Sequence, residues 1–359
     1  MRRFLFFLSV LTVSAAANEP RAIPDLPQPL TNNAVASVVR EGRLEVFTFL
    51  GLGAGKTWRD ITNRAWAWRE GDAAWRELPA VPVARGRLAS TACTVAGKIF
   101  LFGGYTVDEK GGEISTPEVF CFDPATDKYS PCAPMPIPVD DSVSLAYADR
   151  YIYLVSGWHD TGNTNAVQVY DTQTDTWRRA TDYPGPAVFG HAGGIVGRQL
   201  VVAGGVQVLS PPKDGMKYAP SGAVFLGTID PADDAKISWH ELPGASLPLY
   251  RMAAVGDAEN QRVIFAGGTA RPYNYNGVGY DKVPSEASAR IFVCDLVRQQ
   301  LLDAPSVFGH PSMDHRGLIS ARGFFSSVGG MAAGQIVTAR VASFTVTPAP
   351  TSRPPEHEP

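Results

Sequence analysis

Charge of one sign, cysteine and long apolar runs are all scarce in this chain of 359 residues. Lys and Arg number 32 against 35 Asp and Glu, with the signs interspersed and a formal net charge of -3. There is no basic stripe to neutralise phosphates, so nucleic acid is excluded as the main partner. The four cysteines, Cys93, Cys121, Cys132 and Cys294, form no C-x-x-C and no Cys/His spacing of a zinc site. They read as small buried hydrophobes. Cys121 and Cys132 flank a hairpin turn, FDPATDK, which leaves a bridge between them open. Neither metal nor cofactor is implied.

No apolar run reaches the roughly 20 residues of a membrane-spanning helix. The nearest approach is FLFFLSVLTV, preceded by Met1-Arg2-Arg3 and followed by Ser14-Ala15-Ala16-Ala17-Asn18. A positive start, about ten apolar residues and an A-x-A ending are the parts of a secretory signal peptide. The expectation is a signal peptide at 1–17, cleaved after Ala17, and a periplasmic or secreted product with no membrane attachment after cleavage.

Glycine and proline, by contrast, are plentiful, at 35 and 29, and 45% of the residues are apolar. No low-complexity block absorbs the Gly and Pro, so they read as turn punctuation around a sizeable core. Helical periodicity is almost absent. Period-two alternation is not: LASTACTV, KIFLFGG, EVFCFD and KYSPC are followed by SVSLAYA, YIYLVSG, AVQVYD and TWRRA, each a short strand rich in β-branched or aromatic residues. Gly-marked strand ends recur at Gly53, Gly103, Gly157, Gly204, Gly267 and Gly329, at intervals of 50, 54, 47, 63 and 62. A repeat near 50 residues signals a propeller blade.

On the Gly-Gly ends and the VYDTQTDTW stretch the chain resembles the Kelch-repeat β-propeller family, over roughly residues 23 to 346. The resemblance implies an all-β fold: six Kelch-type blades of four antiparallel strands, in one domain over 18–346, with a Pro-rich disordered tail at 347–359. Trp75, Tyr129, Trp177 and Trp239, on fourth strands, are expected to pack between blades. The segment 23–37 matches the linkers that join a fourth strand to the next first strand. It is therefore expected to close the sixth blade or leave it three-stranded. IPDLPQP and FLGLGAGKTW look like the opening of the bacterial sialic-acid mutarotase branch. That branch implies a Glu and an Arg in the long loop of blade four. Here Gly205 stands where the Glu is expected, and only Lys213 and Lys217 supply positive charge.

The long loops, 51–63, 105–117, 158–165, 206–222 and 269–289, all belong to the class that emerges on one face, which should hold the function. Residues at the starts of the innermost strands ring the channel mouth there: Arg85, Arg87, Asp140, Asp141, His191, Arg251, Asp314, His315 and Arg316. They either bind a small polar ligand or pair with one another. The loops add Trp158, His159, Asp160, Asn163, Arg271, Tyr273, Tyr275 and Tyr280, aromatic faces beside polar groups, as sugars require. The ligand-binding candidates are Arg87, Asp140, Asp141, Trp158, His159, His191, Arg251, Tyr273, Tyr275, His315 and Arg316.

Sharper motifs fail. LGLGAGKT has Leu50 where a phosphate loop needs Gly; HPSMDH, 310–315, has no helix to set its faces as a metal site; no G-x-S-x-G elbow occurs. Two readings stand: an exported propeller binding a sugar-like ligand or a partner protein at the funnel, and a sugar mutarotase or epimerase with a rearranged acid-base set, drawn from Asp140, Asp141 and His191. The catalytic residues are not identified.

Overall fold

The computed structural model describes residues 22–213 and 215–347. The expected signal peptide at 1–17 and nearly all of the Pro-rich tail expected at 347–359 lie outside the described residues. Six antiparallel sheets surround an axis. Their innermost strands are Ala34–Arg40, Thr91–Val95, Val143–Tyr147, Ala192–Val196, Ala253–Asp257 and Ile319–Ala321. Each blade runs outward in chain order, as in blade 3: Val143–Tyr147, Tyr151–Val155, Val167–Asp171, Thr176–Arg179.

Five blades have four hydrogen-bonded strands, and the sixth has three, Ile319–Ala321, Phe324–Val328 and Val341–Thr345. The N-terminal segment completes that blade's outer edge. Leu26 N donates to Ala339 O at 2.7 Å and Leu30 N to Thr338 O at 3.1 Å. The same place is taken in other blades by the linker after a fourth strand, where Ala180 N donates to Val167 O at 2.9 Å and Leu242 N to Val224 O at 2.8 Å. Joining the two ends of the chain in one sheet closes the ring and leaves only short edges.

The second strand of every blade ends on two residues of positive φ: Leu50–Gly51, Gly103–Gly104, Ser156–Gly157, Gly204–Gly205, Gly267–Gly268 and Gly329–Gly330. In blade 1 the repeat thus falls at Gly51, two residues ahead of Gly53. Immediately after each pair the chain bridges back to the residue that precedes its own innermost strand. The six bridges are Leu52 to Thr31, Tyr105 to Leu88, Trp158 to Asp140, Val206 to Phe189, Thr269 to Tyr250 and Met331 to Met313. All six blades, the three-stranded one included, share this hinge.

Blades adhere through apolar side chains that alternate along the strands. Tyr129 meets Phe49 of the preceding blade edge-on at 6.4 Å, and Trp177 meets Phe102 at 5.9 Å. Trp239 packs on Tyr183, and buried Trp75 joins Trp66, Trp68, Ile319 and Val328. Each such side chain fully buried stabilises by roughly 1.5–3 kcal/mol, so the fourth-strand aromatics act as mortar between blades. All four cysteines are free; Cys93, Cys121 and Cys132 sit in the cluster between blades 2 and 3. Cys121 lies opposite Ser130, and Cys132 opposite Val119, so the two thiols are diagonal neighbours.

Candidate functional site at the long-loop end of the axis

The residue after each bridge turns the chain into the innermost strand, and all six have left-handed backbone: Asn32 (φ 57), Ala89 (φ 55), Asp141 (φ 49), Gly190 (φ 60), Arg251 (φ 54) and Asp314 (φ 69). Left-handed residues often mark function. Here the sixfold repetition, which includes Ala89 and Gly190, makes the conformation a property of the fold. Backbone hydrogen bonds run around the axis from blade to blade: Asp141 N to Ala89 O, Gly190 N to Asp141 O, Arg251 N to Gly190 O, His315 N to Arg251 O and Asn32 N to Asp314 O, at 2.7–3.2 Å. Between blades 1 and 2 the Asn32 side chain stands in, its Oδ1 accepting from Ala89 N at 2.5 Å.

This collar holds a charged plug. Arg251 donates to both Asp141 oxygens, at 3.2 and 2.6 Å, and to Asp314 Oδ1 at 3.0 Å. Arg316 approaches Asp141 Oδ1 to 2.7 Å and donates to Asn32 Oδ1 at 3.1 Å. Thr31 and Asn32 donate to the Asp314 carboxylate at 2.8 and 3.1 Å. The four charged side chains are at most 3% exposed. Two cations and two anions cancel. Burial alone would raise the Asp141 carboxyl, but the charges of Arg251 and Arg316 outweigh it and hold it below its ordinary value. Tyr250 and Tyr273 clamp Arg251 from behind, their ring centres 4.7 and 5.1 Å from its guanidinium carbon.

The plug divides the axis. On the short-turn side lies a cavity of about 500 Å³ lined by innermost-strand residues, Ser37, Thr91, Thr94 and Ser144 among them, with His191 and His315 near the plug. His191 Nε2 bonds Val155 O at 2.8 Å and His315 Nε2 bonds Ser312 Oγ at 2.8 Å. Burial pushes both imidazoles down, to about 4 and about 3; they are neutral near pH 7.

On the long-loop side is a cup of about 80 Å³ lined by Tyr105, Glu113, Asp140, Asp141, Trp158, Phe189, Tyr218, Arg251, Asn274 and Tyr280. Hairpins built into the loops set its wall: Tyr105–Val107 with Glu113–Ser115, Trp158–His159 with Gly162–Asn163, and Val206–Lys213 with Met216–Pro220. Its aromatic rings lock together, Trp158 on Phe189 at 5.5 Å and Tyr218 on Tyr280 at 4.2 Å. Besides the paired Asp141, two carboxyls face this space. Asp140 accepts from Ser115 Oγ at 2.6 Å; burial, then the neighbouring Asp141 charge, pushes its pKa well up. Glu113 stands on the exposed rim, yet loss of water around its carboxyl raises its pKa against the pull of Arg251. The cup therefore pairs aromatic faces with carboxyls that keep their protons to higher pH than usual.

Of the sequence-predicted residues, Asp140, Asp141, Trp158 and Arg251 meet at the cup. His191, His315 and Arg316 face the cavity on the other side of the plug. Arg87 is buried between blades, donating to Gly103 O at 3.3 Å and paired with Glu118 at 3.0 Å. His159 turns to Pro138 O at 2.9 Å, Tyr273 is wholly buried behind Arg251, and Tyr275 packs against the same loop cluster. The HPSMDH residues disperse: His310 stacks on Phe308, Asp314 joins the plug and His315 bonds Ser312. Glu113, Tyr218 and Asn274 were missed. Their only signal was membership of long loops. At Gly205, a Cβ would lie 2.7 Å from His191 Cβ, so the hinge has no room there for any side chain, glutamate included.

The fold and this loop-built mouth define a six-bladed antiparallel propeller whose long loops gather at one end. A family model for the Kelch motif matches residues 86–136 and 142–182. The chain is 29% identical over 149 residues to Kelch-like protein 15 of Gallus gallus, covering 41% of this chain and 29% of that protein. It is 29% identical over 132 residues to human Kelch-like protein 33, covering 36% and 24%. The chain thus spans about a quarter of the length of these Kelch-like relatives. N-acetylneuraminate epimerase 1 of Escherichia coli is 24% identical over 295 residues, 70% of this chain and 71% of that one. The solved structure of YjhT superposes with a TM-score of 0.70 at 15% identity, over 90% of this chain and 97% of the other, a likeness of fold. This chain is a six-bladed β-propeller that carries Kelch motifs at 86–136 and 142–182 and is similar in layout to that epimerase relative.

Proposed function

We propose that the protein binds a small polar, sugar-like ligand at the long-loop end of the axis. The observation that carries this is the cup: Trp158, Tyr218 and Tyr280 stand beside Glu113 and Asp140, whose carboxyls hold their protons to higher pH than usual, above a charge-neutral floor. Pyranoses offer C–H patches to aromatic faces and hydroxyls to carboxyls. A volume of about 80 Å³ falls short of the roughly 300–1,000 Å³ of whole ligand pockets. The cup is therefore the deepest point of the site, taking one end of the ligand while the rest lies among the loops. Isothermal titration with N-acetylneuraminate, D-glucuronate and D-glucose tests this: at least one gives a heat that Trp158→Ala and Glu113→Gln both diminish. Silence from all three refutes it and leaves a protein partner as the occupant of this face.

Similarity to N-acetylneuraminate epimerase 1 across 70% of the chain favours a second reading, sugar mutarotation or epimerisation. Ring opening needs one group to take the anomeric proton and one to give a proton to the ring oxygen. In this reading one of the two cup carboxyls, Glu113 and Asp140, would be ionised and take the proton while the other gives one, their raised pKa values supporting the donor role. Freshly dissolved sugar followed by NMR would equilibrate faster with the wild type than with Glu113→Gln; equal rates refute this reading alone.

A further inference from the structure

A second cleft, of about 500 Å³, lies between the first two blades on the long-loop face, lined by Trp58, Arg59, Ile61, Arg85, Gly86, Val107, Asp108, Glu109 and Lys110. It is remote in composition from the cup, sharing none of its residues. Three cationic side chains line it, and none of them has an ion-pair partner among the described residues. Arg59 lays its guanidinium over the Trp58 ring at 4.4 Å, which fixes the position of that charge. Arg85 and Lys110 come from the linker before blade 2 and from the tip of its long hairpin.

The surrounding backbone is built to bring them together. In the 53–60 turn, Asp60 Oδ2 accepts from Thr57 N at 2.9 Å and Thr57 Oγ1 at 2.6 Å, with Gly55 so close that a Cβ would sit 2.6 Å from Asp60 Oδ1. Gly86 presses against the next residues, where a Cβ would meet Ile61 O and Thr62 N at 2.6 Å. That contact carries Arg85 to the side of Trp58. Across the cleft, Asp108 Oδ1 accepts from Lys110 N and Gly112 N, both at 2.8 Å, turning the hairpin tip that carries Lys110. Asp108 keeps its charge while it holds this turn, and Arg85 helps to keep its carboxyl below the ordinary value, so three cations face two acids, Asp108 and Glu109, in the cleft.

We propose that this cleft is a separate site for a small organic oxyanion, a carboxylate or phosphate carried on a sugar-sized body. Its volume of about 500 Å³ lies in the range of ligand pockets, and guanidinium groups pair with the oxygens of carboxylates and phosphates. The test is an NMR titration of the full chain that follows the Trp58 indole N–H, assigned by its loss in Trp58→Phe, with D-glucuronate for the carboxylate arm, glucose 6-phosphate for the phosphate arm and methyl glucoside as neutral control. One or both anions shift the Trp58 signal and methyl glucoside does not. The Arg85→Gln/Lys110→Gln double variant weakens the response at least ten-fold, and Glu113→Gln in the cup leaves it in place. A Trp58 signal unmoved by both anions, or equally moved in the double variant, overturns the proposal; so does its loss in Glu113→Gln, which would make the cleft part of the cup. Because the cup is read by heats that Trp158→Ala diminishes, either site can fail while the other stands.

Discussion

Replacing Asp141 by Ala removes the carboxylate that three contacts converge on: Arg251 at 3.2 and 2.6 Å and Arg316 at 2.7 Å. Two guanidinium groups are then left with Asp314 alone, at 3.0 Å from Arg251 and 3.6 Å from Arg316, in a layer at most 3% exposed. Breaking one side of a buried ion pair costs about 3–5 kcal/mol, here because two buried cations are left to share a single counter-charge. The backbone adds nothing to this, since Ala89 already holds the same left-handed conformation one blade earlier. With an unfolding entropy of ~2.1 cal/mol/K per residue, a propeller of this size loses ~1.4 °C of Tm per kcal/mol, so the variant should melt ~4–7 °C early. Thermal and urea denaturation followed by circular dichroism measure it. Arg64→Gln, which breaks the exposed pair with Glu77 at 2.8 Å, is the control, expected within about 1 kcal/mol of wild type. If Asp141→Ala is no worse than Arg64→Gln, the plug is hydrated and the reasoning fails.

Stability should also depend on pH through the two neutral histidines. Their folded values, about 4 for His191 and about 3 for His315, lie below the ordinary 6.5, so the unfolded chain takes up protons first and stability falls as pH drops from about 6.5 towards 4. Asp140 and Glu113 pull the other way, since folded they hold protons that the unfolded chain has released. The readout is therefore a difference: His191→Gln has a shallower acid loss of stability than wild type, by roughly 3 kcal/mol across that window, and parallel curves contradict the burial of His191. All four cysteines are free, so alkylation in denaturant without reductant should label four thiols; two would reveal a Cys121–Cys132 bridge. If residues 1–17 are an export signal, mass spectrometry of the exported protein gives an N-terminus at Asn18; a retained Met1 argues against export.

The blades were legible because a short hinge repeats. Gly-Gly at 103–104, 204–205, 267–268 and 329–330 is forced by positive φ, and the aromatic four strands along packs where alternation says it must. The first blade read two residues out of register because Leu50 occupies a left-handed position usually given to glycine. Ring closure was legible too, since 23–37 repeats the linker pattern whose hydrogen bonds it then makes. Half of the ring of residues that follow the bridges was also visible, Asp141, Arg251 and Asp314, whereas Asn32, Ala89 and Gly190 were not read as part of it. What the sequence could not show was which of them meet. Asp141 and Arg251 are 110 residues apart and Arg251 and Asp314 are 63 apart; pairing across the axis depends on blade geometry alone. Nor does sequence tell which side of the plug a residue faces, which separates Asp140 from His315. Glu113 and Tyr218 reach the cup only through their hairpins, and nothing in PP-rich or Gly-rich loop sequence aims a side chain.

The most direct measurement is a crystal structure of the protein soaked with the sugar that gives the largest calorimetric response. Density should lie between Trp158, Tyr218 and Tyr280, with hydroxyls towards Glu113 and Asp140. Density instead beside His191 and His315 on the far side of the plug, or none on the axis at all, would contradict the assignment of this mouth as the ligand site.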